Sequence, residues 1–387
     1  MQRLQLKNSS YTNFENAIKS KETLRVYKHS LDEFLIFTKA KSLDSIINYP
    51  TSKIQQILKD WVINLKSKKL KASTIRPKLA AVELFLDMNE VVYFKRIIHK
   101  MIPSDDEKQG GDVSYTNEDI NRMLEVSSKN RTRALIHFLA STGARPSGII
   151  DPVLKVKHLE DMPDGCKAVK IYDESKQGYY AFLTPEASKA LKLYFDSRKT
   201  NGEKLNNESP VFASIIDTNK AKLKYDYLTR NNLYVTLSNV IKKAGIQRIK
   251  KGKRYDKALS YGFRKRFNTI LKLNNDVNSN IAEKLMAHKR GLDSSYLTPT
   301  RDECFAEFSK AIPQLTIDQS ERLKVEKESL KKELSDKEKL VQKVKDLEEN
   351  MNMMQDKMQL LEGEKEDNWE ENRMEMVKDE LRSDEGR

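Results

Sequence analysis

The 387-residue sequence is poor in cysteine. Cys166 and Cys304 are its two, far apart along the chain, so neither a disulfide framework nor a Cys-based zinc site organises it. Long apolar runs are also missing. Nothing approaches the roughly 18 uninterrupted apolar residues of a membrane helix. No apolar stretch follows the opening Met1–Lys7, so no signal peptide is expected. There is no G-x-x-x-x-G-K-[ST] loop to suggest ATP hydrolysis, no H-E-x-x-H pair and no Asp-rich calcium loop. The chain is expected to need no metal or other cofactor, to avoid membranes and to be a soluble cytoplasmic protein. Hydrophobic residues are 38% and charged residues 33%, polar but sufficient for a core. The length allows two or three domains.

Positive charge is plentiful and unevenly placed. Residues 316–387 hold 15 Lys and Arg against 22 Asp and Glu, a net of −7, which leaves residues 1–315 at +21 within a whole-chain charge of +14. A body that basic attracts a polyanion, nucleic acid above all; a solvated Lys-rich surface is the plainer alternative.

Residues 1–102 read as helical: Leu24, Tyr27, Leu31, Phe34 and Leu35, then Ile54, Ile57, Leu58, Trp61 and Leu65, then Leu79, Val82, Leu84, Phe85 and Leu86 recur at helical spacing. Ser73 or Thr74 is placed to cap the third of these helices, with Pro77 in its first turn. Between the apolar positions lie Lys66, Lys68, Lys69, Lys71, Arg76 and Lys78, either a solvated face or a seat for a phosphate backbone. Residues 103–115 lack periodicity and contain a Gly-Gly pair, the expected linker. Thr116 reads as an N-cap. A further helix through Ala134, Leu135, Phe138 and Leu139 stops near Gly143. Residues 168–172 and 179–183 are β-prone runs around a Gly-containing turn, a hairpin. Helical patterns return after Pro185 and continue through 235–244, 263–273 and 281–286. The expected fold is mainly α with a small β-sheet: a helical domain over 1–102, the linker 103–115, an α+β domain over 116–315, and a charged helical tail over 316–387. In that tail Val344, Leu347, Met351, Met354, Met358 and Leu361 alternate three and four apart, as in a coiled coil. Leu323, Leu330, Leu334 and Val341 fit another phase, the two meeting in a three-residue stammer. The tail is expected to self-associate or bind a partner helix, or to stand alone as a charged helix.

Four short segments carry residues that look chemical. Arg145 follows an apolar helix at the Gly-flanked turn Thr142-Gly143-Ala144-Arg145. Lys176 sits at the hairpin tip. Tyr261-Gly262-Phe263-Arg264 opens a helix, with Lys265 and Arg266 next. Leu285-Met286-Ala287-His288 is followed eight residues later by Tyr296. Singly, each is more often structural.

In order and spacing these segments resemble the tyrosine recombinase (phage integrase) family: a T-G-x-R box, a hairpin Lys, an H-x-x-R box with Tyr261 in place of His, and a His box followed by the Tyr. The resemblance spans about residues 10–312. The Tyr-x-x-R form and the context Ser295-Tyr296-Leu297-Thr298-Pro299-Thr300 look most similar to integrases of archaeal viruses and plasmids. The resemblance implies a helical DNA-binding domain and a catalytic domain forming a C-shaped clamp on double-stranded DNA. It also implies homo-oligomers, tetrameric in synapsis, and association with the nucleoid. Arg145 and Arg264 would clamp the scissile phosphate. Tyr296 would be the nucleophile of a covalent 3′-phosphotyrosyl intermediate, Lys176 the general acid for the leaving 5′ oxygen, and His288 a hydrogen-bonding or proton-transfer group. The element served would be a mobile one, integrated or excised.

Two departures stand out. Tyr261 replaces the usual His; with an ordinary pKa near 10 it is a poor proton shuttle, and it is a second candidate nucleophile. Gly148 stands where many members carry Glu. If the hairpin register differs, Lys167 or Lys170 becomes the acid. The basic tract around Lys250, Lys251, Lys253 and Arg254, with Lys265 and Arg266 beyond it, is expected to contact phosphates beside the active site. The alternatives to a recombinase are a type IB topoisomerase, with the same chemistry and no strand exchange, and a catalytically inactive DNA-binding protein.

Overall fold

The computed structural model describes residues 10–104, 111–173, 175, 177–218, 222–251, 254–288 and 296–384. The chain is mainly helical with small antiparallel sheets, and divides into two units, Met1–Gln109 and Gly110–Arg387. Among the described residues no helix is long and apolar enough to cross a membrane.

The first unit is helical: α1 (Ser10–Asn16), α2 (Lys21–Thr38), α3 (Leu43–Ile47), α4 (Thr51–Ser67), α5 (Ala72–Asp87) and α6 (Lys95–Lys100). Ser20 and Ser42 cap α2 and α3 by accepting from backbone N–H groups three residues on, satisfying donors a helix start leaves open. The apolar stripes read from the sequence converge on one core, with Trp61 edge-on to Phe34 at 5.5 Å between ring centroids. One local expectation fails. The helix α5 already begins at Ala72, so Ser73 and Thr74 lie inside it, Lys71 is the N-cap and no side chain caps it. Pro77 therefore stands in the second turn, where it removes one bond from the backbone ladder.

The second unit is built around a three-stranded antiparallel sheet: β1 (Leu159–Asp161), β2 (Lys167–Ile171) and β3 (Tyr179–Leu183). Strand periodicity divides its side chains between two cores. Val169, Ile171, Ala181 and Leu183 join a cluster with α7 (Asn117–Glu125), α8 (Asn130–Thr142), α10 (Pro185–Thr200) and α11 (Arg230–Lys243). Ala168 and Phe182 join another with α12 (Tyr261–Leu273), α13 (Ser279–Leu285), α14 (Arg301–Ser309) and α15 (Ile312–Leu315). The short α9 (Ser147–Ile150) and two further hairpins, β4 (Ala213–Thr218) with β5 (Lys222–Tyr227) and β6 (Lys250–Lys251) with β7 (Arg254–Tyr255), complete the body. The final helix, α16, runs from Gln319 to Asp384. Cys166 and Cys304 are free, buried thiols in the second cluster.

The structure moves two expected borders. Val113 donates to the Asp256 carbonyl and Tyr115, 1% exposed, reaches the carbonyls of Ala258 and Leu259. Residues 113–115 therefore belong to the second unit rather than to a linker. At the other end Thr316 and Ile317 are buried, and the Glu186 carboxylate accepts from the N–H groups of Ile317 and Asp318. The first residues of the expected tail are thus core.

Candidate active site

The turn after α8 is fixed by its own residues. Thr142, fully buried, donates to the Phe138 carbonyl and accepts from the Ala144 N–H. Gly143 closes the helix at φ 56°, the left-handed region that favours glycine. A Cβ there would also stand 2.7 Å from the Phe267 ring. The chain then turns through Ala144 and leaves Arg145 partly exposed.

The helix α12 brings Arg264 to the same place. Arg264 is 5% exposed and donates through Nη1 to the Gly143 carbonyl at 2.8 Å. Its Nη2 donates to the Met286 carbonyl and, at 3.0 Å, to His288 Nε2. One guanidinium thus ties the Arg145 turn, α12 and the end of α13 together. Burial, with the nearby charge of Arg145, pulls its pKa below the ordinary value. Among the described residues no carboxylate pairs with Arg145 or Arg264.

His288 has a defined tautomer. Because Arg264 can only donate, Nε2 is the acceptor and Nδ1 carries the proton, given to Glu283 at 2.6 Å. Burial lowers the imidazole pKa; the Glu283 hydrogen bond opposes this, the charges of Arg264 and Arg145 add to it, and the net shift is downward. Glu283 is itself buried, which raises its pKa, but its bonds to Lys272 and His288 outweigh burial and hold it ionised.

Tyr261, 48% exposed, opens α12, near enough for its charge state to be felt at Arg264. Tyr179 at the start of β3 is partly buried beside both arginines, with its hydroxyl enclosed. Burial pushes its phenol up to about 12, and its hydroxyl has no hydrogen bond of good geometry. Tyr296 is 81% exposed and stands clear of this packing. Lys176 lies outside the described residues. The two lysines that would replace it are engaged: Lys170 pairs with Asp173 at 2.6 Å and Lys167 with Asp161. The hydrogen bond and charge of Asp173 raise the Lys170 pKa, which makes it a poorer acid.

Gly148 has a physical reason. A Cβ at this position would stand 2.6 Å from Ile171 Cγ2, and the Tyr172 hydroxyl lies 3.7 Å away. Tyr172, at φ 56°, turns that hydroxyl onto Ser147 Oγ at 2.6 Å. A Tyr–Ser pair therefore links the strand leading into the hairpin to the turn after Arg145, on ground a longer side chain at 148 would need. The sequence reading missed Ser147, Tyr172, Tyr179 and Glu283. The five-residue spacing from Glu283 to His288, one helical turn and a bend, was the available signal for the last.

The basic candidates have different fates. Arg266 is corrected outright: 4% exposed, it donates to Asn117 Oδ1 and to the carbonyls of Ala140, Gln314 and Leu315, so its guanidinium is not offered to DNA. Lys78 pairs with Glu33 and its side chain is 16% exposed, which also withdraws it. Lys265 is half-exposed and within 3.6 Å of Asp112. Lys66, Lys68, Lys69 and Arg76 are exposed and Lys71 partly so, around the α4–α5 junction. Lys250, Lys251 and Arg254 are exposed on the β6–β7 hairpin; Lys253 lies outside the described residues.

Residues 114–293 match the model of the phage integrase family. The matched stretch is 180 of the 387 residues, just under half of the chain. It contains the T-G-x-R turn, the hairpin, the Y-x-x-R helix and His288, and ends short of Tyr296. No curated protein matches the chain. Among solved structures it is similar to the Tn1549 transposon integrase in complex with transposon right end DNA (16% identity, TM-score 0.48, 78% of this chain and 97% of that one). It is also similar to XerA recombinase (20%, 0.35, 77% and 95%) and to the integrase from mycobacterium phage Brujita (15%, 0.36, 80% and 91%).

Proposed function

We propose that this chain is a site-specific DNA recombinase that breaks and rejoins DNA through a covalent 3′-phosphotyrosyl intermediate, and that it serves to integrate or excise a mobile element. The observation that carries the reading is the convergence of Arg145, Arg264 and neutral His288 within the stretch that matches the phage integrase family, with no described carboxylate on either guanidinium. Two close cations repel each other. A phosphodiester relieves that repulsion, and the stabilisation grows as charge builds on its non-bridging oxygens in the transition state.

In this reading Tyr296 Oη attacks phosphorus and the bond to the 5′ oxygen breaks. The phenol proton passes to His288 Nε2, the basic atom of the Glu283-held tautomer, which gives up its bond from Arg264 Nη2 as that guanidinium turns to the phosphate. Lys176 supplies the proton the 5′ oxygen needs. Tyr261, exposed at the start of α12, hydrogen-bonds a phosphate oxygen through its phenol hydroxyl. Lys66, Lys68, Lys69, Lys71 and Arg76 of the first unit, and Lys250, Lys251, Lys253, Arg254 and Lys265 of the second, contact the duplex backbone, which makes affinity fall with salt. The first unit, residues 1–102, serves as the core-binding domain. Assembly on two sites takes several copies, a tetramer in synapsis, on cytoplasmic DNA of the nucleoid. The Tyr-x-x-R form supports a likeness to integrases of archaeal viruses and plasmids.

The test separates binding from chemistry. Arg145→Ala and Arg264→Ala should each reduce cleavage of a target duplex by about 100-fold or more, as loss of a charge-stabilising donor does, while keeping most of the affinity measured by gel shift. Loss of binding alone, with cleavage per bound complex unchanged, contradicts these roles.

A further inference from the structure

The helix α16 is 66 residues long, about 100 Å at 1.5 Å per residue. It is anchored at its start, where Val325 packs on the second core cluster and Arg322 donates to the Thr316 carbonyl at 3.0 Å. Farther along, Val344, Leu347, Met351 and Met354 are 47%, 60%, 58% and 70% exposed. Met358 and Leu361 continue the same three-four spacing. An apolar stripe of that period on a long charged helix is the face of a coiled coil.

The flanking charges choose the occupant. With Val344, Met351 and Met358 at the a positions and Leu347, Met354 and Leu361 at d, the g positions are Lys343, Asn350 and Lys357. The e positions are Glu348, Gln355 and Glu362. In a parallel, in-register pair each g residue meets the e residue five positions on in the other helix. That places Lys343 against Glu348, Asn350 against Gln355 and Lys357 against Glu362, with no like-charged pair. An antiparallel pair centred on this stretch sets Glu348 against Glu362 and Lys343 against Lys357. Upstream, Leu323, Leu330, Leu334 and Val341 follow a different phase whose remaining core positions are Lys327 and Lys337, poor residues for a dry seam.

We infer that residues 343–362 form a parallel, in-register, two-stranded coiled coil with a second copy of this chain, without DNA. The pairing tethers two copies through their tails and goes beyond the recombinase reading; its test does not involve cleavage.

The experiment uses the full chain. At tens of micromolar, light scattering should give twice the 44.9 kDa chain mass. Lys343→Glu with Lys357→Glu should halve that mass, as should Glu348→Lys with Glu362→Lys, at unchanged helicity. Mixing the two variants should restore the doubled mass, because each then offers the other opposite charges. The Leu347→Cys variant should cross-link to itself on mild oxidation, the natural cysteines being buried. A wild-type mass of one chain, a doubled mass that survives either charge reversal, or no cross-link in the Leu347→Cys variant overturns the inference.

Discussion

Arg264 and Arg266 stand two positions apart on α12, and both are buried, yet only one faces the candidate site. Arg264 shares its donors among Gly143, Met286 and His288 at the edge of the cluster. Arg266 spends its own on Asn117 and three carbonyls inside the fold. Removing it leaves those acceptors unpaired, each costing about 1–3 kcal/mol. Arg266→Ala should therefore lower unfolding stability in urea by roughly 3–5 kcal/mol. Lys265→Ala should change it by no more than about 0.5 kcal/mol while weakening DNA binding; equal destabilisation by the two would contradict this division. His288 gives a second check at this scale. Its folded pKa lies below the ordinary 6.5 or so, so the neutral form is favoured by folding. The stability this brings is present above pH 6.5 or so and is lost as pH falls through the folded value. Imidazole-detected NMR should show a proton on Nδ1 at pH 7 and a titration midpoint below 6.5. Glu283→Gln removes the group that raises the pKa and should move that midpoint lower still; an upward shift would contradict the hydrogen-bond assignment.

At the scale of elements, the hairpin and the Arg145 turn behave as one piece. Ser141 donates to the Phe182 carbonyl and accepts from the Thr184 N–H, joining α8 to the end of β3, while Ser147 and Tyr172 join α9 to the end of β2. Gly148 is the close approach between them. Gly148→Ala, with its Cβ 2.6 Å from Ile171, should cost about 1–3 kcal/mol as an overpacked site, read from thermal unfolding; a neutral result would mean that the strand and turn part easily. The β2–β3 hairpin was legible because two β-prone runs flank a Gly-containing turn, and the end of α8 because Gly143 follows an apolar helix. The β4–β5 hairpin was not: residues 222–227 alternate as a strand does, but their charge reads as loop. The fate of Arg266 was hidden because a basic run beside a functional box reads as surface, whereas packing of α12 between α8 and α15 buries it. Pro77 misled in the same way, since an interior proline imitates a first-turn one.

For the whole molecule, the sequence carried the order of the boxes and the charge asymmetry, a basic body with an acidic tail. What it could not carry was contact between segments distant in the chain: Gly143 with Arg264, Glu283 with His288, Tyr172 with Ser147. Those contacts bring together the residues proposed to hold the scissile phosphate, each of them individually unremarkable. The central claim is that this site makes Tyr296 a nucleophile toward DNA. The most direct measurement is covalent trapping. Wild type and Tyr296→Phe are incubated, without metal or ATP, with nicked duplexes drawn from the protein's own genetic neighbourhood, then run on denaturing gels. The account predicts a protein–DNA adduct with wild type that is absent with Tyr296→Phe. Salt-sensitive binding with no adduct from wild type would contradict it and leave a DNA-binding protein without catalysis, and an adduct that survives in Tyr296→Phe would pass the nucleophile to Tyr261.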